Sequence, residues 1–400
     1  MSWLFAGRTP NSRLRKLDNR QSIIKGGDVG LTVRPVQSRR DLKTFIHMPY
    51  KLYQDESNWV PPLRVEEKKK FSVKTNPYLE HCDYLLFLLL RNGKAVGRIS
   101  AFVDHLALEH WQEQIGFFGC FETINDVEGT RLLINAARDW LKDRGMATMR
   151  GPWSFSPQEW GMLVEGFDTP PMVMAPHNFP YYDSLLTSCG LLKAKDLLVF
   201  EMDASEGYQL PDRFVRWSDR IAEKLGVTIR PLNLKRLEED VRLILSVANQ
   251  STEKNWGFIP VTDKEASDIA KALKAIVDPD IILIAEKDGE AVGYLIAFPN
   301  VNALIRDCNG RLFTKAIFRL LFKMKSIREY RVWALGVVPA YQRKALDTLF
   351  YRRLADVLAP RRPSRVEANY VLEDNMVMNN PILKLGFHQS KRLRVYEAPI

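Results

Sequence analysis

The sequence predicts an α/β protein made of two tandem copies of one unit, each a mixed, mostly antiparallel sheet flanked by helices. Three observations predict this. Short phrases recur in order at one spacing. Thr32-Val33-Arg34-Pro35 matches Thr228-Ile229-Arg230-Pro231, Gly93 through Gly97 matches Gly289 through Gly293, Gly190 matches Gly386, and Val199-Phe200-Glu201 matches Val395-Tyr396-Glu397, every pair lying 196 positions apart. A repeat of domain length is the signature of a duplicated unit. Each copy carries Asn-Gly or Asp-Gly between two apolar runs, the strongest short hairpin signal. Each copy also ends an apolar helical stretch on a glycine, which adopts the left-handed C′ conformation cheaply.

The elements follow in order. A strand (Leu31–Val36; Val227–Leu232) leads into amphipathic helix. The hairpin then runs from Tyr84–Leu90 to Ala95–Val103 in the first copy and from Ile281–Glu286 to Ala291–Phe298 in the second. A further strand (Ile115–Glu122; Arg331–Val338) precedes a helix (Val127–Arg144; Leu346–Leu358). A fifth strand (Ala147–Pro152; Arg365–Val371) precedes the short helix that stops at Gly190 or Gly386, and a last strand closes each copy. The expected division is a basic arm over residues 1–30, a first domain over 31–205, a link over 206–226 and a second domain over 227–400.

The chain has 400 residues, 46% of them hydrophobic and 26% charged, a globular balance. Its net charge of +10 points to an anionic partner. No zinc-finger spacing or RNA-binding motif accompanies that charge, which argues against nucleic acid. The longest apolar run, Leu85–Leu90, falls far short of the roughly 18 residues that span a bilayer. Cys82, Cys120, Cys189 and Cys308 lie far apart with neither metal nor disulfide spacing. A reduced cytoplasmic protein with no metal is expected. Phe313, Ile317, Leu320, Leu321, Met324 and Ile327 fall on one helical face beside Lys315, Arg319, Lys323, Lys325 and Arg328. Together with Arg13, Arg15, Lys16 and Arg20 of the arm, that basic amphipathic stretch suits peripheral attachment to an anionic inner-membrane surface. A core helix with a basic rim has the same pattern.

The long segment Gly151–Pro180 is rich in glycine, proline and aromatics, and long loops in compact domains are often functional. Glu159, Glu165, Asp168 and His177 are its titratable groups. A carboxylate among Trp153, Phe155 and Trp160 would be desolvated and suited to act as a base. Glu159 is the leading candidate, with His177 and Glu367 as alternatives and Glu373 also near the fifth strand. The competing reading of Glu159 is a helix cap or an arginine partner. Trp153, Trp160, Tyr181, Tyr182, Asn255 and Trp256 are candidate substrate contacts.

The second half resembles the GNAT (general N-acetyltransferase) family, and the chain reads as two tandem GNAT-like domains. Leu335-Gly336-Val337-Val338-Pro339-Ala340-Tyr341-Gln342-Arg343 resembles motif A, and Asn375 through Leu385-Gly386-Phe387 resembles motif B. The resemblance implies acyl-CoA contacts at Leu335, Val337, Gln342, Arg343, Lys344 and Asn375. It implies a thioester as co-substrate, acyl-CoA or acyl carrier protein, with no permanently bound cofactor. Two departures matter. Ala345 and Asp347 stand where the family's glycines close on phosphate, and Ile382 (Leu186 in the first half) stands where many members carry a tyrosine acid.

Gly151–Tyr182 and Asn255–Pro260 also resemble a bacterial two-domain GNAT-like family that includes ceramide synthases. That resemblance implies transfer of an acyl group from a thioester to an amine, with a sphingoid base or other long-chain lipid amine as acceptor. The amine would attack directly, since no Ser/His/Asp or Cys/His arrangement is legible. Two alternatives stand beside it: a non-catalytic GNAT-like binding protein and a tRNA-dependent aminoacyl transferase.

Overall fold

Asn92 (φ 50°) with Gly93 (φ 77°), and Asp288 (φ 53°) with Gly289 (φ 84°), take the paired left-handed conformations of tight hairpin turns. These two turns set the register of the central hairpins. The computed structural model describes residues 24–25, 30–155, 160–207, 210–273, 277–311, 319–320 and 322–400. In chain order the strands are β1 (Ile24–Lys25), β2 (Leu31–Pro35), β3 (Cys82–Arg91), β4 (Lys94–Asp104), β5 (Ile115–Thr123), β6 (Thr148–Gly151) and β7 (Met162–Glu165). There follow β8 (Leu192–Asp203), β9 (Thr228–Pro231), β10 (Ile282–Lys287), β11 (Glu290–Pro299), β12 (Glu329–Val337), β13 (Arg365–Leu372) and β14 (His388–Pro399).

These strands form one continuous sheet in the order β1-β2-β3-β4-β5-β6-β14-β8-β13-β12-β11-β10-β9, with β7 paired to β14. All pairings are antiparallel except β5–β6 and β12–β13. The two halves exchange their last strands: β14 pairs with β6 of the first half, and β8 pairs with β13 of the second. β8 and β14 pair with each other in the middle of the sheet. The ladder therefore runs unbroken through the junction, and neither half presents an edge there.

Helices cover both faces. Arg39–Leu52 begins with a capping box in which Ser38 and Asp41 satisfy each other's backbone groups. Val127–Lys142 follows β5, and Asp347–Leu358 follows β12 as its counterpart. The helix Asp212–Leu225, closed by Gly226 at φ 61°, packs Ile221, Ala222 and Leu225 against the core of the second half. Tyr78 Oη donates to Asp104 (2.7 Å), and His81 lies 2.9 Å from Asp104 and 3.5 Å from Glu265 of the second half. Burial disfavours the charged imidazole, but the two carboxylates outweigh it and push His81 up to about 9. His81 thus ties the halves together as a cation between anions. His81, Cys82 and Asp104 are close enough together to suit a metal. Asp104 already accepts from Leu106 N, Ala107 N and the Tyr78 hydroxyl, so the group serves as a cap and an ion pair. Among the described residues no helix is long and apolar enough to cross a membrane.

Candidate active site

In each half two parallel strands start paired and then diverge, and the fate of the gap differs. In the first half β5 and β6 pair only over Ile115–Phe117 and Thr148–Arg150. The chain then turns back across the gap, where Trp153 N donates to the Phe118 carbonyl at 2.8 Å. Phe155 packs at 4.9 Å from Phe102, and Trp153 at 5.2 Å from Phe117. The first gap is filled by the protein's own aromatics.

In the second half β12 and β13 pair over Glu329–Val332 and Arg365–Ala368 and then part. The register of β12 against β11 shifts between Ile296 and Ala297, leaving Trp333 as an extra residue. Such a bulge bends the strand away from its neighbour. This gap opens into a cavity of about 1140 Å³. Ligand pockets usually span about 300–1,000 Å³.

The cavity passes through the sheet. Successive strand residues face opposite sides. A Cβ on Gly293 would meet Phe350 of the helix Asp347–Leu358 at 3.1 Å. Its neighbour Tyr294 shares the other face with Gly336 and with Ser251 of the helix Leu237–Thr252. One lobe lies under Asp347–Leu358, lined by Met202, Val332, Leu354, Ala355, Val366 and Ala368. The opposite lobe is aromatic and polar, lined by Trp153, Trp160, Asn249, Asn255, Trp256 and Trp333. Trp160 stacks on Trp256 with centroids 6.3 Å apart. Gly257 (φ 75°) permits this approach of the two halves, because a Cβ there would lie 3.0 Å from both Trp153 and Trp160.

Tyr351 lines the cavity and its buried hydroxyl has no hydrogen-bond partner among the described residues. Burial, with the nearby Asp347 carboxylate, raises its phenol far above the usual range, so it is a neutral donor. Sequence reasoning missed it, since one tyrosine on an amphipathic helix carries no signal of its own.

Behind the aromatic lobe lies a small cavity of about 10 Å³ shared by His177, Glu367, Asn369, Tyr370 and Lys391. Asn369 and Tyr370 also line the large cavity, so they are the partition between the two. Glu367 is 1% exposed. Burial pushes its carboxyl up to about 7 against the lowering influence of Arg331, Arg365 and Lys391. Its Oε1 accepts from Asn369 Nδ2, and its Oε2 has no hydrogen-bond partner among the described residues. Arg331, fully buried, holds the other side of Asn369 at 2.5 Å and donates to the Val173 carbonyl. Burial lowers the His177 imidazole below its ordinary value, opposed by Glu56 at 3.7 Å. Burial lowers Lys391 as well, and its ammonium donates to the Gly166 carbonyl (2.6 Å) and to Thr169.

The two helix N-termini at the gaps also differ. Asp126 caps Val127–Lys142 by accepting from Gly129 N, which closes that end to an anion. Asp347–Leu358 has no side-chain cap, and Arg343 (φ 58°) and Ala345 (φ 62°) bend the preceding loop through left-handed conformations. Thr348 N and Leu349 N donate to the Ala345 and Leu346 carbonyls at 3.1 Å, so of the first-turn N–H groups it is that of Asp347 that stays open to a phosphate. Asp347 stands in its first turn, its carboxyl raised by burial.

Of the residues singled out in the sequence, the structure gathers Trp153, Trp160, Asn255, Trp256, Leu335 and Asn375 at the large cavity. Asn375 also caps the helix Met376–Lys384. His177 and Glu367 meet at the small one. Val337 ends β12, where its carbonyl accepts from Gln342 Nε2 at 3.0 Å, and Arg343 and Lys344 are exposed on the loop. Tyr181 and Tyr182 sit in the first half instead. Tyr182 Oη binds Glu122 at 2.9 Å, and Tyr181 Oη binds the Thr123 carbonyl at 2.9 Å. Glu159, the arm residues Arg13, Arg15, Lys16 and Arg20, and Phe313, Ile317 and Leu321 lie outside the described residues. The rest of the expected membrane face is core instead: Ile327 is buried, and Leu320 and Met324 pack against the same cluster.

No family model matches the chain. It is 36% identical over 375 residues to Protein YghO of Escherichia coli (strain K12), covering 92% of this chain and 95% of that one. It is 34% identical over 382 residues to a bacterial ceramide synthase of Caulobacter vibrioides (strain NA1000 / CB15N), covering 92% and 98%. Among solved structures it matches a tandem GNAT protein from the clavulanic acid biosynthesis pathway with a TM-score of 0.52, 14% identity, and coverage of 92% and 98%.

Proposed function

The chain belongs to the bacterial tandem GNAT-like family that includes the Caulobacter vibrioides ceramide synthase, and we propose that it is an N-acyltransferase acting on a long-chain lipid amine. The observation that carries this reading is the cavity through the sheet of the second half, with one aliphatic and one aromatic lobe meeting at the gap. Two apolar chains joined by an amide fit that shape, and an acetyl group alone would leave most of it empty. The 34% identity to a protein named for ceramide synthesis points the same way.

The thioester, from acyl-CoA or an acyl carrier protein, lies at the gap, its phosphates toward the uncapped N-terminus of Asp347–Leu358. The amine enters from the tryptophan lobe. Its ammonium proton passes through a water behind Asn369 to Glu367. The neutral amine attacks the carbonyl, and backbone N–H groups near Leu335–Val337 hold the oxyanion. The tetrahedral intermediate expels the thiolate, which takes its proton from the Tyr351 hydroxyl, and the phenolate recovers one from the nitrogen, which releases its second proton as the amide forms. Tyr351 fills the part left open by Ile382. The basic arm and the exposed Lys323, Lys325 and Arg328 bring the protein to an anionic membrane surface, where a lipid amine resides.

The test is purified protein with a sphingoid base and long-chain acyl-CoA, read by mass spectrometry. An N-acyl product is expected. Tight binding of acyl-CoA with no amide from any long-chain amine, and none from carrier-protein donors, would overturn the reading. It would favour a binding protein, a second reading that Asp347 at the phosphate position supports.

A further inference from the structure

We propose that the lobe under the helix Asp347–Leu358 is the acyl-chain site, and that Ala355 keeps it open for long chains. This rests on the acyltransferase reading above and assigns one of its two chains to one lobe. The donor's cofactor end belongs at the N-terminus of Asp347–Leu358, on the face where Gly293 meets Phe350. Below the gap, on that same face, the cavity continues between this helix and the paired part of β12 and β13, over Val332, Val366 and Ala368. An acyl tail can run straight on from its thioester there without crossing the sheet. The opposite lobe is left for the amine, which reaches the carbonyl from the other face.

The lining of the lower lobe supports this. Met202, Leu354, Leu358 and Val366 are buried and apolar. The polar groups come only at the far end, where Glu206, Arg328 and Arg362 are exposed and still line the cavity. From Ala368 back to Arg365 the floor is three strand steps, about 10 Å at the usual rise, several times the reach of an acetyl group, and the lining runs on to Pro363. Ala355 is half-buried on the helix wall of this lobe, so a larger side chain there would project into the channel.

The experiment compares wild type with Ala355→Trp. Binding of CoA, butyryl-CoA and palmitoyl-CoA is measured by calorimetry, and amide formation with sphinganine is measured for both donors. Burial strengthens binding about fourfold per methylene. Palmitoyl-CoA should therefore bind wild type at least about a hundredfold tighter than butyryl-CoA. Ala355→Trp should lose most of that increment while binding CoA and butyryl-CoA as before, and its turnover of palmitoyl-CoA should fall at least tenfold. An unchanged chain-length profile in a folded variant would overturn the assignment. So would a rise confined to the sphinganine KM, which would place the amine's chain in this lobe. If wild type forms no amide with either donor, the acyltransferase reading fails; the binding series still reports whether a fatty chain occupies the lobe.

Discussion

Gly119 lies directly under the Trp153 carbonyl: a Cβ built on Gly119 would fall 1.8 Å from that oxygen. The contact is backbone on backbone, and it is how the first half seals the gap that the second half leaves open. One half therefore supplies the pocket and the other supplies tryptophans to its wall.

Gly119→Ala should be severely destabilising, because neither partner can swing aside. Overpacking of this kind costs about 1–3 kcal/mol and sometimes more. Thermal unfolding should show a large drop in Tm or no folded protein. A Tm within a degree of wild type would mean the first gap is not closed as described.

Glu367→Gln should separate stability from activity. The Glu367 carboxyl is raised to about 7 from the usual 4.5, so folding holds its proton while the unfolded chain releases it. Its presence costs nothing below pH 4.5, and wild-type stability falls as pH rises from there to about 7, then levels off. The full cost is at most about 3.4 kcal/mol. The Gln variant should therefore gain stability relative to wild type across that window, seen as a widening Tm difference. Its turnover should fall by about 10²–10⁴ and lose the rise with pH that a base titrating near 7 gives. Equal activity would move the base elsewhere, with Glu159 the first alternative.

Tyr351→Phe tests the leaving-group acid. Turnover with acyl-CoA should fall by about 10²-fold or more. With an aryl thioester, whose thiolate leaves without a proton, the loss should shrink to a few-fold. A uniform loss with both donors would assign Tyr351 to packing.

Membrane attachment is tested by cosedimentation with anionic and neutral vesicles at low and high salt. Basic residues near such a surface contribute about 1 kcal/mol each, and salt screens them. Binding is expected to anionic vesicles at low salt and to be lost at high salt. Failure on both vesicle types at low salt would remove the membrane from the proposal.

The duplicated unit, the two hairpins and the strand–helix order were legible in the residues, because turn chemistry, alternation and capping act over a few positions. Asn92-Gly93 and Asp288-Gly289 specify their turns whatever surrounds them. Much of the cavity wall was legible too, since Trp153, Trp160 and Trp256 stood in stretches too aromatic and glycine-rich for plain connections. Tertiary structure alone decided the rest. That β8 and β14 are exchanged depends on strand partners about 160 to 250 residues apart, which no local period records. That the first gap is filled and the second open follows from where Trp153 and Phe155 land, not from the strands that make the gap. His177 and Glu367 share a cavity, and Glu367 acquires its raised pKa, only because packing removes water from both. Desolvation is a property of the folded surroundings, and the sequence by itself carries only the carboxylate.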